Sequence, residues 1–133
     1  MKRNVFRVLL ASFALLRLAM PASAHHSFSA AFDAEKPVTV KGVILEIRLE
    51  NPHSWFFLEV RDASGKAEKW AFEAGTPSGM IRNGFKPSLI KAGAEVTIKG
   101  IRARDASQKM GLLRELVTAD GRVYGTFGSE QAR

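Results

Sequence analysis

At two points along the chain an alternating run of apolar residues changes parity, and at both a glycine stands at the change. Val38 and Val40 occupy even positions, whereas after Gly42 the apolar residues Val43, Leu45, Ile47 and Leu49 occupy odd ones. Val96 and Ile98 likewise give way to Ile101 and Ala103 across Gly100. Successive side chains of a strand point to opposite faces, so keeping one face buried through such a change requires an extra residue or a sharp bend. Glycine suits that place because it packs nothing of its own and lets another backbone come close. Two long strands that each bend at a glycine predict a small, strongly coiled barrel rather than a flat sheet.

The remaining punctuation agrees with this. Asn51-Pro52 stops the first strand, residues 53–62 form a second, and Asp62-Ala63-Ser64-Gly65-Lys66 is a turn with Asp and Gly where a tight reversal needs them. Residues 67–73 form a third strand. Thr76-Pro77 has the form of a helix N-cap followed by proline at the first helical position, with Gly84 as the stop and a further turn at residues 87–89. Residues 91–105 begin with a turn at Ala92-Gly93 and become the fourth strand. The fifth leads through Asp120-Gly121 into a short sixth. Three strands, a short helix and two or three more strands is the order of a mainly β, OB-like barrel of five or six strands, with the helix between strands 3 and 4. An open antiparallel sandwich is the second-ranked architecture.

Upstream of the strands the chain reads as an export signal. Lys2, Arg3 and Arg7 precede an apolar run at residues 8–16, and Ala22-Ser23-Ala24 supplies the small residues that signal peptidase reads. Arg17 interrupts the apolar stretch, which is too short to span a bilayer. The expected organisation is a signal peptide at 1–24, an arm at 25–37, the OB-like domain at 38–125 and a loose tail at 126–133, in a periplasmic protein. Four of the 20 Lys and Arg residues and none of the 13 acids lie in the leader, which leaves sixteen bases against thirteen acids, dispersed without a basic block. Charge therefore points away from nucleic acid, and the mature chain carries no transmembrane segment. The chain has no cysteine, so disulfides and thiolate metal sites are excluded.

The chain has three histidines, His25, His26 and His53. Cleavage after Ala24 would place His25 at the new terminus, where its α-amine and ring Nδ1 chelate one ion without any folding. A third nitrogen from His26 or His53 completes a plane that suits Cu(II). Cleavage one residue earlier leaves Ala-His-His, also a copper or nickel chelator. The alternative is that His25 and His26 are ordinary polar residues of an arm. His53, in Asn51-Pro52-His53-Ser54-Trp55, is either a third ligand or a strand-start histidine bonded to backbone across its turn.

Trp55 and Trp70 lie on consecutive strands and would form a ligand-stacking surface if exposed, or core if buried. Phe28 and Phe32, four apart in the arm, are expected to dock onto the domain as apolar plugs. Asp33, Glu46, Glu50 and Glu73 read as ligands, an acid/base pair or simply a solvated face. No nucleophile elbow, phosphate loop or zinc-protease helix motif occurs, and no catalytic residues are nominated.

The segments AHHSF, FDAEKPVTVKGVI, NPHSW, WAFEAGTP and the run from Gly93 to Asp105 together resemble a family of small exported proteobacterial proteins known only as a domain of unknown function. The likeness runs from His25 to about Tyr124. Its signatures are His25-His26-Ser27-Phe28 and Asn51-Pro52-His53. The resemblance implies an exported, mostly β protein and transfers no activity; the layout is more loosely similar to periplasmic OB-fold proteins. Two functions follow as expectations: capture of copper or a related ion through the histidines, or a non-metal module that binds a peptide, glycan or partner protein through Trp55 and Trp70.

Overall fold

A computed structural model describes residues 28–125. The expected leader and tail, and His25 and His26, lie outside these residues. One helical turn, α1 (Phe28–Ala31), leads into β1 (Phe32–Arg48), followed by β2 (Trp55–Arg61) and β3 (Ala67–Glu73). After α2 (Pro77–Arg82) and a 3-10 turn (Pro87–Leu89) come β4 (Glu95–Ala103), β5 (Met110–Thr118) and β6 (Val123–Gly125). β1 starts at Phe32, so residues 32–37 of the stretch read as an arm lie within the strand.

The length of β1, 17 residues, lets it serve two partners. Its first part pairs with β4 and its second with β2, both antiparallel. β3 pairs antiparallel with β2 and then parallel with β5 from Ala71 to Glu73. With β4 antiparallel to β5, the ladders close a ring β1-β2-β3-β5-β4, and β6 extends it along β5. A closed ring of strands with a short helix between β3 and β4 is consistent with the OB-like reading.

The two glycines behave differently. Val40, Gly42 and Ile44 are all buried, so β1 does not change parity at Gly42. The register shifts instead between Ile44 and Glu46, which makes Leu45 the extra residue of a bulge. This corrects the expectation that Val43, Leu45 and Leu49 face inward: they are 37%, 44% and 38% exposed. Ile44 and Ile47, three apart, both pack into the main core because the bulge lies between them. Gly42 has another reason to be glycine, since a Cβ there would stand 2.5 Å from the Glu59 carbonyl oxygen.

At Gly100 burial does pass from Val96 and Ile98 to Ile101 and Ala103, and the register shifts between Lys99 and Gly100. The extra residue is Arg114 on β5, which lets Leu113 and Leu116 both enter the main core. Ile101, paired with Leu112, instead joins a second, smaller cluster with Phe32, flanked by Met110. The parity change therefore transfers burial from the inner face of the sheet to its outer face. A Cβ at Gly100 would collide with the Leu112 carbonyl oxygen.

α2 sends Met80 into the main core. The Thr76 hydroxyl accepts from Gly79 N–H at 3.1 Å, and Pro77 opens the helix. Its last turn closes in the six-to-one pattern around Gly84 (φ 91°), with Phe85 N–H donating to the Met80 carbonyl at 3.0 Å. That turn sends Phe85 inward beside Met80, edge-on to Phe56 at 5.6 Å and to Tyr124 at 6.0 Å. Each aromatic ring so buried contributes on the order of 1.5–3 kcal/mol. Among the described residues no helix is long and apolar enough to cross a membrane.

Candidate functional site

The turn between β1 and β2 ends in two backbone hydrogen bonds that extend the β2–β3 ladder beyond the strands. Ser54 N–H donates to the Gly75 carbonyl at 3.1 Å, and Ala74 N–H donates to the Ser54 carbonyl at 2.8 Å. Ser54 is fully buried, and its hydroxyl has no hydrogen-bond partner among the described residues. Leaving such a group unpaired costs about 1–3 kcal/mol.

His53 stands at the rim of the sheet with its Nδ1 2.9 Å from Glu73 Oε1, and the two side chains are 30% and 19% exposed. A ring nitrogen that donates to a carboxylate fixes the tautomer and leaves Nε2 as the lone-pair donor, the arrangement common behind metal-ligating histidines. Glu73 takes this place because it is level with Trp55 in the β2–β3 register, at the strand end nearest the turn.

Residues level with one another across a ladder share a face. Arg48, Trp55, Glu73 and Leu112 form one row on the outside of the ring, and Glu46, Phe57, Ala71 and Met110 form the next. Trp55 and Phe57 stack with ring centroids 6.3 Å apart. The Arg48 guanidinium and the Lys69 ammonium each lie 4.8 Å from the centroid of Phe57. Arg48 also donates to both oxygens of Glu46, at 2.7 and 3.1 Å, and this holds the Glu46 carboxyl below its ordinary range.

Trp70 is placed differently. It is level with Leu58 on the inner face, 5% exposed, stacked on Phe72 at 5.8 Å and part of the main core. Arg102 and Lys109 lie over its ring at 5.0 and 5.7 Å, with Lys109 held by Glu68 at 3.0 Å. Trp55 and Trp70 therefore do not share the single stacking surface expected of them; the partner of Trp55 on the outside is Phe57. The two lie on opposite faces because their positions along the register differ in parity.

Among the described residues no group of three or more His, Asp or Glu side chains gathers in a way that could hold a metal ion. Of the other acids, Asp33 pairs with Lys36 at 3.2 Å, and Glu50 is exposed. Sequence reasoning weighed Glu73 only among several acids, because its link to His53, twenty residues away, arises from strand register and leaves no local signal. Phe57 and Lys69 escaped it for the same reason.

Residues 14–113 match the model of a family described only as a family of unknown function. No curated protein and no solved structure matches the chain.

Proposed function

We propose a function from the chain's own residues, since the chain belongs to DUF6152, a family of unknown function: capture of a transition-metal ion, Cu(II) above others, in the periplasm after export. The donors are His53 together with His25 and His26 at a terminus freed by cleavage after Ala24. The observation that carries this reading is the 2.9 Å contact between His53 Nδ1 and Glu73 Oε1, on a side chain 30% exposed; in a neutral imidazole such a partner sets the tautomer that keeps the Nε2 lone pair for a metal. The folded domain contributes one imidazole backed by one carboxylate, and the two other histidines of the chain are adjacent in its N-terminal segment. With no cysteine to supply thiolate, an all-nitrogen set favours Cu(II) by the usual order of divalent affinities.

His53→Ala tests this. Copper(II) affinity of the protein recovered from the periplasm, measured by competition titration, should fall by about tenfold or more, with far-UV circular dichroism unchanged. An unaltered affinity removes His53 from the site.

The second reading, a non-metal module for a peptide, glycan or partner protein, is favoured by the outer Trp55–Phe57 pair with Arg48 and Lys69 beside it. Flat aromatic faces flanked by cations suit sugar rings and carboxylate-bearing chains. Trp55→Ala should then abolish retention on immobilised glycan or peptide while leaving copper binding intact.

A further inference from the structure

Between Glu73 and Glu95 the chain carries no acid, while Arg82, Lys86 and Lys91 fall within the gap. Beyond residue 24 the chain has sixteen bases and thirteen acids, so without these three the two counts would be equal, at thirteen each. The positive excess of that whole stretch therefore equals the charge of one acid-free segment, residues 74–94. The acids at its two boundaries are already engaged, Glu73 with His53 at 2.9 Å and Glu95 with Lys41 at 2.8 Å. Arg82, Lys86 and Lys91 are all exposed, and none has an ion-pair partner among the described residues.

The fold holds this segment, which includes α2 and the 3-10 turn, by one side only. Met80, Phe85 and Ile90, five apart, are buried in the main core, and every residue between them, 81–84 and 86–89, is exposed. Each interval is fixed by its backbone: Phe85 N–H donates to the Met80 carbonyl at 3.0 Å, Leu89 N–H to the Lys86 carbonyl at 2.9 Å, and Ala94 N–H to the Lys91 carbonyl at 3.1 Å. The middle anchor, Phe85, lies edge-on to Phe56 of β2 and Tyr124 of β6. Because the three anchors enter one core, the side chains between them are turned to solvent, and the segment forms a lobe over that core. Ile81 and Leu89 are 53% and 49% exposed on it. A single apolar side chain on a surface needs no account, but two of them in a lobe whose every charge is positive call for one.

We propose that this lobe docks on an anionic phospholipid bilayer, with Ile81 and Leu89 entering the boundary between headgroups and acyl chains and Arg82, Lys86 and Lys91 lying at the phosphates. Complementary charge selects the class of partner. Near an anionic membrane each Lys or Arg raises affinity roughly fivefold, so three together favour such a surface by tenfold or more over a neutral one. The apolar pair selects a bilayer among polyanions. A nucleic acid or an acidic polysaccharide would use the cations and leave Ile81 and Leu89 in water, whereas a bilayer takes both. Reversible attachment to a membrane rests on such a combination, since a small apolar contact or a few cations alone hold weakly. The inference goes beyond the metal reading and uses none of its residues, so either stands without the other.

Co-sedimentation with vesicles tests this on the protein recovered from the periplasm. Vesicles of phosphatidylglycerol and phosphatidylcholine in equal parts should bind it at least tenfold more tightly than vesicles of phosphatidylcholine alone, and the difference should shrink in high salt. Arg82→Gln combined with Lys86→Gln and Lys91→Gln should lower affinity for the mixed vesicles at least tenfold. Lys36→Gln combined with Arg61→Gln and Arg122→Gln removes the same charge from exposed, ion-paired places elsewhere and should lower it less than about threefold. Ile81→Ser combined with Leu89→Ser, which leaves the net charge unchanged, should lower it about tenfold. All the substituted side chains are exposed, so an unchanged urea midpoint separates loss of docking from loss of fold. Equal binding to both kinds of vesicle, binding to neither, or equal losses in the two charge-reduced variants overturns the proposal. Undiminished binding by the Ile81→Ser, Leu89→Ser variant overturns it as well, and would mark the lobe as a face for a soluble polyanion.

Discussion

Trp55 and Trp70 are the same residue on two paired strands, yet one belongs to the outside of the ring and the other to its core. Trp70, level with Leu58, is packed on Phe72 and 5% exposed, whereas Trp55, level with Glu73, stacks beside Phe57 next to the His53 turn. Both regions use cations on aromatic rings: Arg102 and Lys109 over Trp70, Arg48 and Lys69 over Phe57. Over Trp70 the cations cover the edge of a filled core. Over Phe57 they lie on a half-buried ring of the outer face. The difference teaches that the same residue type takes a packing role or a surface role according to its place in the strand register.

The sharpest way to break this comparison is truncation of both tryptophans. Trp70→Ala should cost about 3–5 kcal/mol in urea unfolding, as large-to-small changes in cores do. Trp55→Ala should cost no more than about 1.5 kcal/mol, the worth of an aromatic pair beyond its area. Equal losses would mean that the two faces are not distinct. The bulge in β1 offers the next test. Ile44→Ala should cost about 2–5 kcal/mol, while Leu45→Ala, one residue on and 44% exposed, should stay within about 0.5 kcal/mol. The reverse ranking would move the bulge back to Gly42. Removing Arg48 by Arg48→Ala sharpens the outer face: loss of its exposed contacts with Glu46 and Phe57 should leave the urea midpoint nearly unchanged, and the Glu46 carboxyl should titrate closer to its ordinary range by NMR.

The smallest effect concerns the β2–β3 turn that joins the two tryptophan strands. The Ser64 hydroxyl donates to Asp62 Oδ1 at 2.6 Å, and with the Lys66 and Ser64 amides it holds the Asp62 carboxyl below its ordinary range. A lowered folded value means that the ionised form is the stabilising one. The contribution is complete above the ordinary aspartate range and is lost as pH falls through the lowered folded value. Asp62→Asn should therefore lower the urea midpoint at neutral pH and converge with the parent in acid; a gap that persists in acid would show the effect is steric.

Much of the backbone was legible along the chain. The cap at Thr76, the turn at Asp62 to Lys66 and the hairpin at Asp120-Gly121 each rest on short-range chemistry, and each stands where local signals put it, whereas at Gly100 the extra residue lies on β5, at Arg114, and burial passes to the other face instead of keeping to one. Gly42 misled because Val43, Leu45 and Leu49 are as apolar as Ile44 and Ile47. Hydrophobicity could not say which set would be covered, and the bulge at Leu45 was settled by how β2 pairs with the second half of β1. The candidate site was legible in one member: Asn51-Pro52-His53 marks a turn carrying a histidine, but nothing near it in the chain indicates Glu73.

By itself the sequence determined a mainly β chain with a helix between its third and fourth strands, because alternation, capping and turn chemistry act over two to six residues and need no tertiary partner. Only the tertiary structure decided which face each strand turns inward, why Ile101 and Leu112 form a separate outer cluster under Phe32, and that His53 meets Glu73. Those outcomes depend on register between strands distant in sequence, where one extra residue, Leu45 or Arg114, reverses the direction of every side chain beyond it.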